Sequence, residues 1–206
     1  MTKHSLLPNK ALSERGMLIL TAAQKLFLAN GFDDTSLEMI INESGGSRRA
    51  IYKEFGNKEG LLLAVVQHQI AMQTKLLKSI DQQAPVELVL KSICQSFLQG
   101  MLSDTMVGLL RLVTHSVLKM PKVGELVYQQ GPMSGTKPLA EYLAFLHKTK
   151  QLKVEDSIFS AQLLIEMLKG HLHLRAILVP KDKISPQEIE QQVNKVVDFF
   201  LAAHKR

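Results

Sequence analysis

Between Asn30 and Lys58 the sequence ends and restarts a helix three times. Asn30-Gly31 closes one run, because glycine takes the left-handed conformation past a helix end at least cost. Thr35 through Glu38 reads as a capping box that opens the next, with Thr35 as the cap and Glu38 reaching back. Ser44-Gly45-Gly46 stops that helix, and Ser47 caps another immediately. Asn57-Lys58-Glu59 then opens a long run expected to reach about Gln83, before Ala84-Pro85. Helices this short are marginal in isolation and must be held by packing on their neighbours.

Helical periodicity continues on both sides. From about Ser13 to Asn30, Ile19, Ala22, Ala23, Leu26 and Phe27 recur at the spacing of one buried stripe. In the next short helix Leu37, Ile40 and Ile41 point inward. Beyond Pro85 the pattern predicts helices over about 86–102, 105–119, 122–149 (broken around Gly131-Pro132), 156–177 and 186–204. The last opens with Ser185-Pro186-Gln187-Glu188, a serine cap with proline and glutamate where each stabilises a first turn. Sustained period-2 alternation and Asn-Gly or Asp-Gly hairpins are absent. The expected class is all-α, about nine helices. An N-terminal three-helix domain, residues 1–57, joins a larger helical domain, residues 58–206.

Composition narrows the function less than this pattern does. The 206 residues are 46% hydrophobic, enough for a sizeable core, and the net charge is +6. Residues 1–60 hold eight Lys/Arg against seven Asp/Glu, a local net of +1, so bulk basicity identifies no nucleic-acid domain. Only the placement of charge can. The single cysteine, Cys94, excludes an intramolecular disulfide and a cysteine-based zinc site. The stretch MTKHSLLPNKALSER has no apolar signal core and no run is long enough to span a bilayer, so a cytoplasmic protein without membrane partners is expected. Asn42-Glu43-Ser44 then matches a glycosylation sequon by chance.

Two short helices joined by a glycine turn have the spacing of a helix-turn-helix, in which the second helix enters the major groove. That helix carries Arg48, Arg49 and Lys53. Cations do not favour the first turn of their own helix, where the dipole prefers acids, so two arginines there point to a polyanionic neighbour. A guanidinium fork can pair bidentately with guanine or clamp phosphate, and the capped helix end offers backbone N–H groups to phosphate. Helix pairs of this spacing also occur in unrelated folds.

At these residues the chain resembles TetR/AcrR-type transcriptional regulators, over about residues 17–63. The resemblance rests on Ala22-Ala23 with Leu26-Phe27, Gly31-Phe32, Thr35-Ser36, Ile40, Gly45, Ser47, Ile51-Tyr52, Phe55, and Lys58-Glu59 with Leu61. SGGSR is similar to one subgroup of that family. The resemblance implies phosphate contacts at Thr35 and Ser36, base readout from Ser47, Arg48, Arg49 and Ala50, and a backbone or base contact at Tyr52. It also implies a phosphate contact at Lys58; Lys53 joins this set as a cation of the helix that carries Arg48 and Arg49. Three positions depart from the family's habit: Gly46 stands where valine is frequent, Arg49 where glycine is, and Glu54 where a phosphate-binding histidine is. An acid at Glu54 would repel DNA. Phe55, Ala50 and Ile51 read as packing, and Tyr52 as a packed ring with its hydroxyl toward phosphate.

The resemblance further implies a homodimer on double-stranded operator DNA and a small-molecule effector in the C-terminal body, acting on a repressor. Apolar central residues, Met72, Phe97, Leu98, Met101, Met106, Leu109, Leu112 and Val113, favour an apolar effector, but none is assigned as a contact. The helices over 156–177 and 186–204 are the expected dimer contacts, with Val193, Val196, Val197, Phe200 and Leu201 a stripe needing cover in cis or in trans. His171-x-His173 is not a metal pair, because neighbours two apart on one helix point about 200° apart. No cofactor is expected. A helical carrier that has lost DNA binding is the alternative, and an enzyme finds no motif.

Overall fold

The structure, a computed structural model, describes residues 12–76 and 84–205, with side chains at 73–76 and 132–135 excepted. The described residues form nine helices and no strand: α1 (Glu14–Asn30), α2 (Leu37–Ser44), α3 (Arg48–Phe55), α4 (Lys58–Leu76), α5 (Val86–Met101), α6 (Asp104–Ser116), α7 (Pro121–Lys148), α8 (Ser157–Leu178) and α9 (Pro186–Ala203). The expected end of α4 near Gln83 lies outside the described residues. The chain divides into two compact units, one of residues through Gln69 with Gly108–Gln130, the other of Ile70–Val107 with Gly131 onward.

In the first unit α1, α2 and α3 pack on one another. Ile19, Ala23 and Phe27 from α1 are buried, with Ile40 from α2 and Ile51 and Phe55 from α3. Of the α1 stripe that periodicity predicts, Leu26 is only half-buried, and Leu20, outside it, is buried as well. In the second unit α5, α8 and α9 pack together. Leu90, Cys94 and Leu98 of α5 share one core with Leu164 and Leu168 of α8 and Val193, Val197 and Phe200 of α9. The α9 stripe is therefore covered within the chain. Burial pushes the Cys94 thiol up to about 12.

Two helices differ from expectation. Helix α7 runs unbroken through Gly131-Pro132, and the boundary between the two units falls there instead, between Gln130 and Gly131. Proline removes one hydrogen bond from a helix interior, and here the helix continues past it. Helix α8 is interrupted at Gly170, whose φ of 41° and ψ of −145° leave the helical region. A side chain there would be strained, and its Cβ would lie 2.9 Å from Gln192 Nε2. That amide donates to the Met167 carbonyl at 2.8 Å, occupying an acceptor next to the kink. The capping box at Ser185 and Glu188 forms as expected.

Candidate nucleic-acid interface

The turn between α2 and α3 is built from two glycines with different constraints. Gly45 ends α2 in the left-handed region, φ 63°. Gly46 has an ordinary φ but no room, since a Cβ would stand 2.9 Å from Ser44 Oγ and 3.1 Å from Ile19 Cγ1. A valine at this position would require the Ser44 and Ile19 side chains to shift. Ser47 then caps α3, its Oγ accepting the Ala50 N–H at 3.2 Å.

Helix α3 is sorted by its periodicity. Ile51 and Phe55, four apart, are buried, and Ala50 is half-buried. Arg48, Arg49, Tyr52 and Lys53 face solvent. Arg48 forms an ion pair through its Nη2 with Glu38 Oε1 of α2. No hydrogen bond or ion pair to a described residue engages Arg49 or Lys53.

The start of α2 corrects the capping reading. The cap is Ser36, whose Oγ accepts the Met39 N–H at 3.2 Å, and the third helical residue is Met39, not Glu38. Thr35 is buried and turned back to the end of α1, where its hydroxyl lies 2.7 Å from the Gly31 carbonyl and 3.2 Å from that of Leu26. A hydroxyl carries only one proton, and here it is committed to those carbonyls. Of the Thr35-Ser36 pair, only Ser36 is exposed.

Lys58 also has an internal role. Its ammonium donates to the carbonyls of Phe32 at 2.7 Å and Thr35 at 2.8 Å, and lies 4.3 Å from the centroid of the Phe32 ring. An ammonium has three donors, and the Asp33 carbonyl at 3.4 Å accounts for the third. The α1–α2 loop that Lys58 holds is gripped again by Lys119, 2.6 Å from the Asp33 carboxylate. That hydrogen bond and the Lys119 charge hold the Asp33 carboxyl below its ordinary value.

Glu54, the acid where DNA should repel it, has a partner in α1. Its Oε1 accepts the Ser13 hydroxyl at 2.9 Å, and Ser13 itself caps α1 by accepting the Gly16 N–H at 3.0 Å. The carboxylate thus sits at the positive end of the α1 dipole, where an acid is favoured. A Cβ on buried Gly16 would already lie 3.2 Å from Glu54 Oε2. Sequence reading missed Ser13, Glu38 and Asp33 as partners of this face. The first was visible as a serine preceding a helix, but no spacing rule connects it to a residue in α3.

Residues 19–65 match the family described as bacterial regulatory proteins, tetR family. Residues 88–206 match the AefR-like transcriptional repressor C-terminal domain. The chain belongs to the TetR family. By that membership this chain is a TetR-family regulator. It is 31% identical over 90 residues to the uncharacterized HTH-type transcriptional regulator YerO of Bacillus subtilis (strain 168), covering 42% of this chain and 31% of that one. It is 41% identical over 51 residues to the HTH-type transcriptional repressor ComR of Escherichia coli (strain K12), covering 25% of this chain and 24% of that one. The chain thus spans about a third and a quarter of the curated relatives it matches.

Solved structures share the fold over nearly the whole length. One described as a TetR-family transcriptional regulator, from Mesorhizobium loti MAFF303099, superposes with a TM-score of 0.88 at 23% identity, covering 95% of this chain and all of that one. The flavonoid-responsive regulator FrrA gives 0.77 at 24% identity, over 93% of this chain and 97% of its own. No described helix of this TetR-family regulator is long and apolar enough to cross a membrane. Its described residues bring no three His, Cys, Asp or Glu side chains into a metal-binding group.

Proposed function

We propose that this TetR-family chain is a cytoplasmic, ligand-responsive repressor that grips a palindromic operator as a homodimer. The observation that carries the reading is the solvent-facing set Arg48, Arg49, Tyr52 and Lys53 on a capped α3 whose opposite face is buried. Ser36, Ser47 and these four residues are the proposed DNA contacts, with α3 of each subunit in successive major grooves about 34–36 Å apart. Ala50 sets the spacing of α3 against its neighbours. Thr35 and Lys58 serve DNA indirectly, by fixing the α1–α2 loop that presents Ser36 to phosphate.

The body beginning at Lys58 holds the effector, and the second copy docks on α8 and α9. Exposed Phe159, Leu163, Leu174 and Leu178 on α8 and Phe199 on α9 give that dimer an apolar surface to bury. FrrA is described as flavonoid-responsive, in line with a small organic molecule as the kind of signal proposed for this body. Effector binding shifts the dimer toward a spacing that misfits the operator, a coupling of about 1–3 kcal/mol.

The test is selection of genomic DNA by the purified protein, repeated with apolar candidate effectors. Recovery of a palindrome, bound in a salt-dependent manner and released by one effector class, is the expected result. If no sequence is enriched above random fragments, the chain is a carrier and not a regulator.

A further inference from the structure

Among the described residues Glu38 is the acid paired with a solvent-facing cation of α3, and its position is not explained by stability. Its carboxylate pairs with Arg48 across the α2–α3 turn, with side-chain exposures of 59% and 56%. Ion pairs this open add little to folding. An acid in the first turn of α2 is favoured by the dipole wherever its side chain points, so that term does not require contact with Arg48. What the contact does is treat one arginine differently from its neighbours. Among the described residues none pairs with Arg49 or Lys53, which leaves both able to follow phosphates.

We propose that Glu38 is a specificity-determining, positioning residue that reserves Arg48 for a base edge. The inference rests on the DNA-binding reading above. A guanidinium has five N–H donors in a rigid fork. Pairing one nitrogen with a carboxylate fixes the plane of the fork and leaves the remaining donors for a bidentate contact, such as guanine O6 and N7. The same carboxylate repels phosphate oxygens and so biases Arg48 away from the backbone. Phosphate contacts position a protein without carrying sequence information, whereas base contacts specify. Glu38 therefore separates these roles within one helix: Arg49 and Lys53 supply backbone affinity, and Arg48 supplies discrimination. Free of Glu38, Arg48 would become a third phosphate ligand, and binding would gain strength on any sequence while losing selectivity.

The experiment compares wild type, Glu38→Gln and Arg48→Ala in selection from a random-sequence duplex library. Salt titrations on a non-cognate duplex run alongside, and melting midpoints verify that each variant folds. With Glu38→Gln, preference at one position per half-site is expected to fall about tenfold, at the same position that Arg48→Ala relaxes. On the non-cognate duplex the slope of log affinity against log salt should steepen by about 0.9 per engaged subunit. A fold defect alone would not steepen that slope. An unchanged motif or an unchanged slope in Glu38→Gln overturns the role given to Glu38. A wild type that enriches no motif instead overturns the DNA-binding reading on which it stands.

Discussion

Helices α3 and α8 both turn large side chains to solvent, but the residues are opposite in kind. On α3 they are Arg48, Arg49, Tyr52 and Lys53; on α8 they are Ile158, Phe159, Leu163, Leu174 and Leu178. A cationic face costs nothing in water and gains from a polyanion through counterion release, so its binding is salt-sensitive and spread over several charges. An apolar face is unfavourable in water and gains from burial, so its binding concentrates in a few large side chains and responds little to salt. One chain thus carries two surfaces of opposite character, each matched to one of the two partners proposed for it.

The sharpest way to break this comparison is to put a charge on the apolar side. Leu163→Glu and Leu174→Glu each introduce one acid per subunit, hence two at a twofold interface. At about 2 kcal/mol or more per central apolar residue, dimerisation should weaken by about a thousandfold. Light scattering is expected to show a monomer with its helical signal intact, and operator binding should be lost with the dimer. A variant that remains dimeric would place the partner elsewhere.

Two lysines sharpen the cationic side, because they sit five residues apart and do different things. Lys58→Met leaves the Phe32 and Thr35 carbonyls without their donor and should lower stability by about 1–2 kcal/mol, read by urea unfolding without DNA. Lys53→Met removes an exposed cation, so unfolding should move by less than about 0.5 kcal/mol. Its operator salt slope should instead flatten by about 0.9 per subunit. If Lys58→Met leaves stability unchanged and flattens the salt slope, its ammonium leaves the loop for a phosphate when DNA is bound.

How far the sequence foretold these surfaces follows from the range of the interactions involved. Helix ends were legible because caps act within four residues: Ser47, Ser185 with Glu188, and Asn57, whose Oδ1 accepts the Gly60 N–H at 2.7 Å. Thr35 was misread because Thr and Ser stand side by side and either can cap. The choice fell to the Leu26 and Gly31 carbonyls, which drew Thr35 inward. Charges paired across elements were illegible for the same reason. Glu54 with Ser13 and Lys119 with Asp33 are 41 and 86 residues apart, beyond any periodic rule. The α9 stripe was legible as apolar, yet only packing against α5 and α8 decided that its own chain covers it. The kink at Gly170 gave no sign beyond an isolated glycine, which many straight helices tolerate.

The smallest expected effect compares one buttressing acid from each region, Asp33 in the DNA-binding unit and Glu188 in the body that carries α8. Lys119 holds Asp33 below its ordinary value. Glu188 goes further: the Ser185 backbone N–H, then Arg175 of α8, hold its carboxyl down at about 2 from an ordinary 4.5. Arg175 Nη2 lies 2.5 Å from Glu188 Oε1, so this acid joins the cap of α9 to the end of α8. A carboxyl lowered by folding stabilises the native state fully above its unfolded value, and that contribution is lost as pH falls toward the folded value. The body should therefore lose melting temperature between about pH 4.5 and about pH 2. Glu188→Gln should begin lower at pH 7 and lose less across that window, with circular dichroism melts at each pH as the measurement. Parallel pH profiles for variant and wild type would assign the acid sensitivity to other carboxylates. In that case Asp33→Asn, measured in the same way, tests whether the DNA-binding unit supplies it.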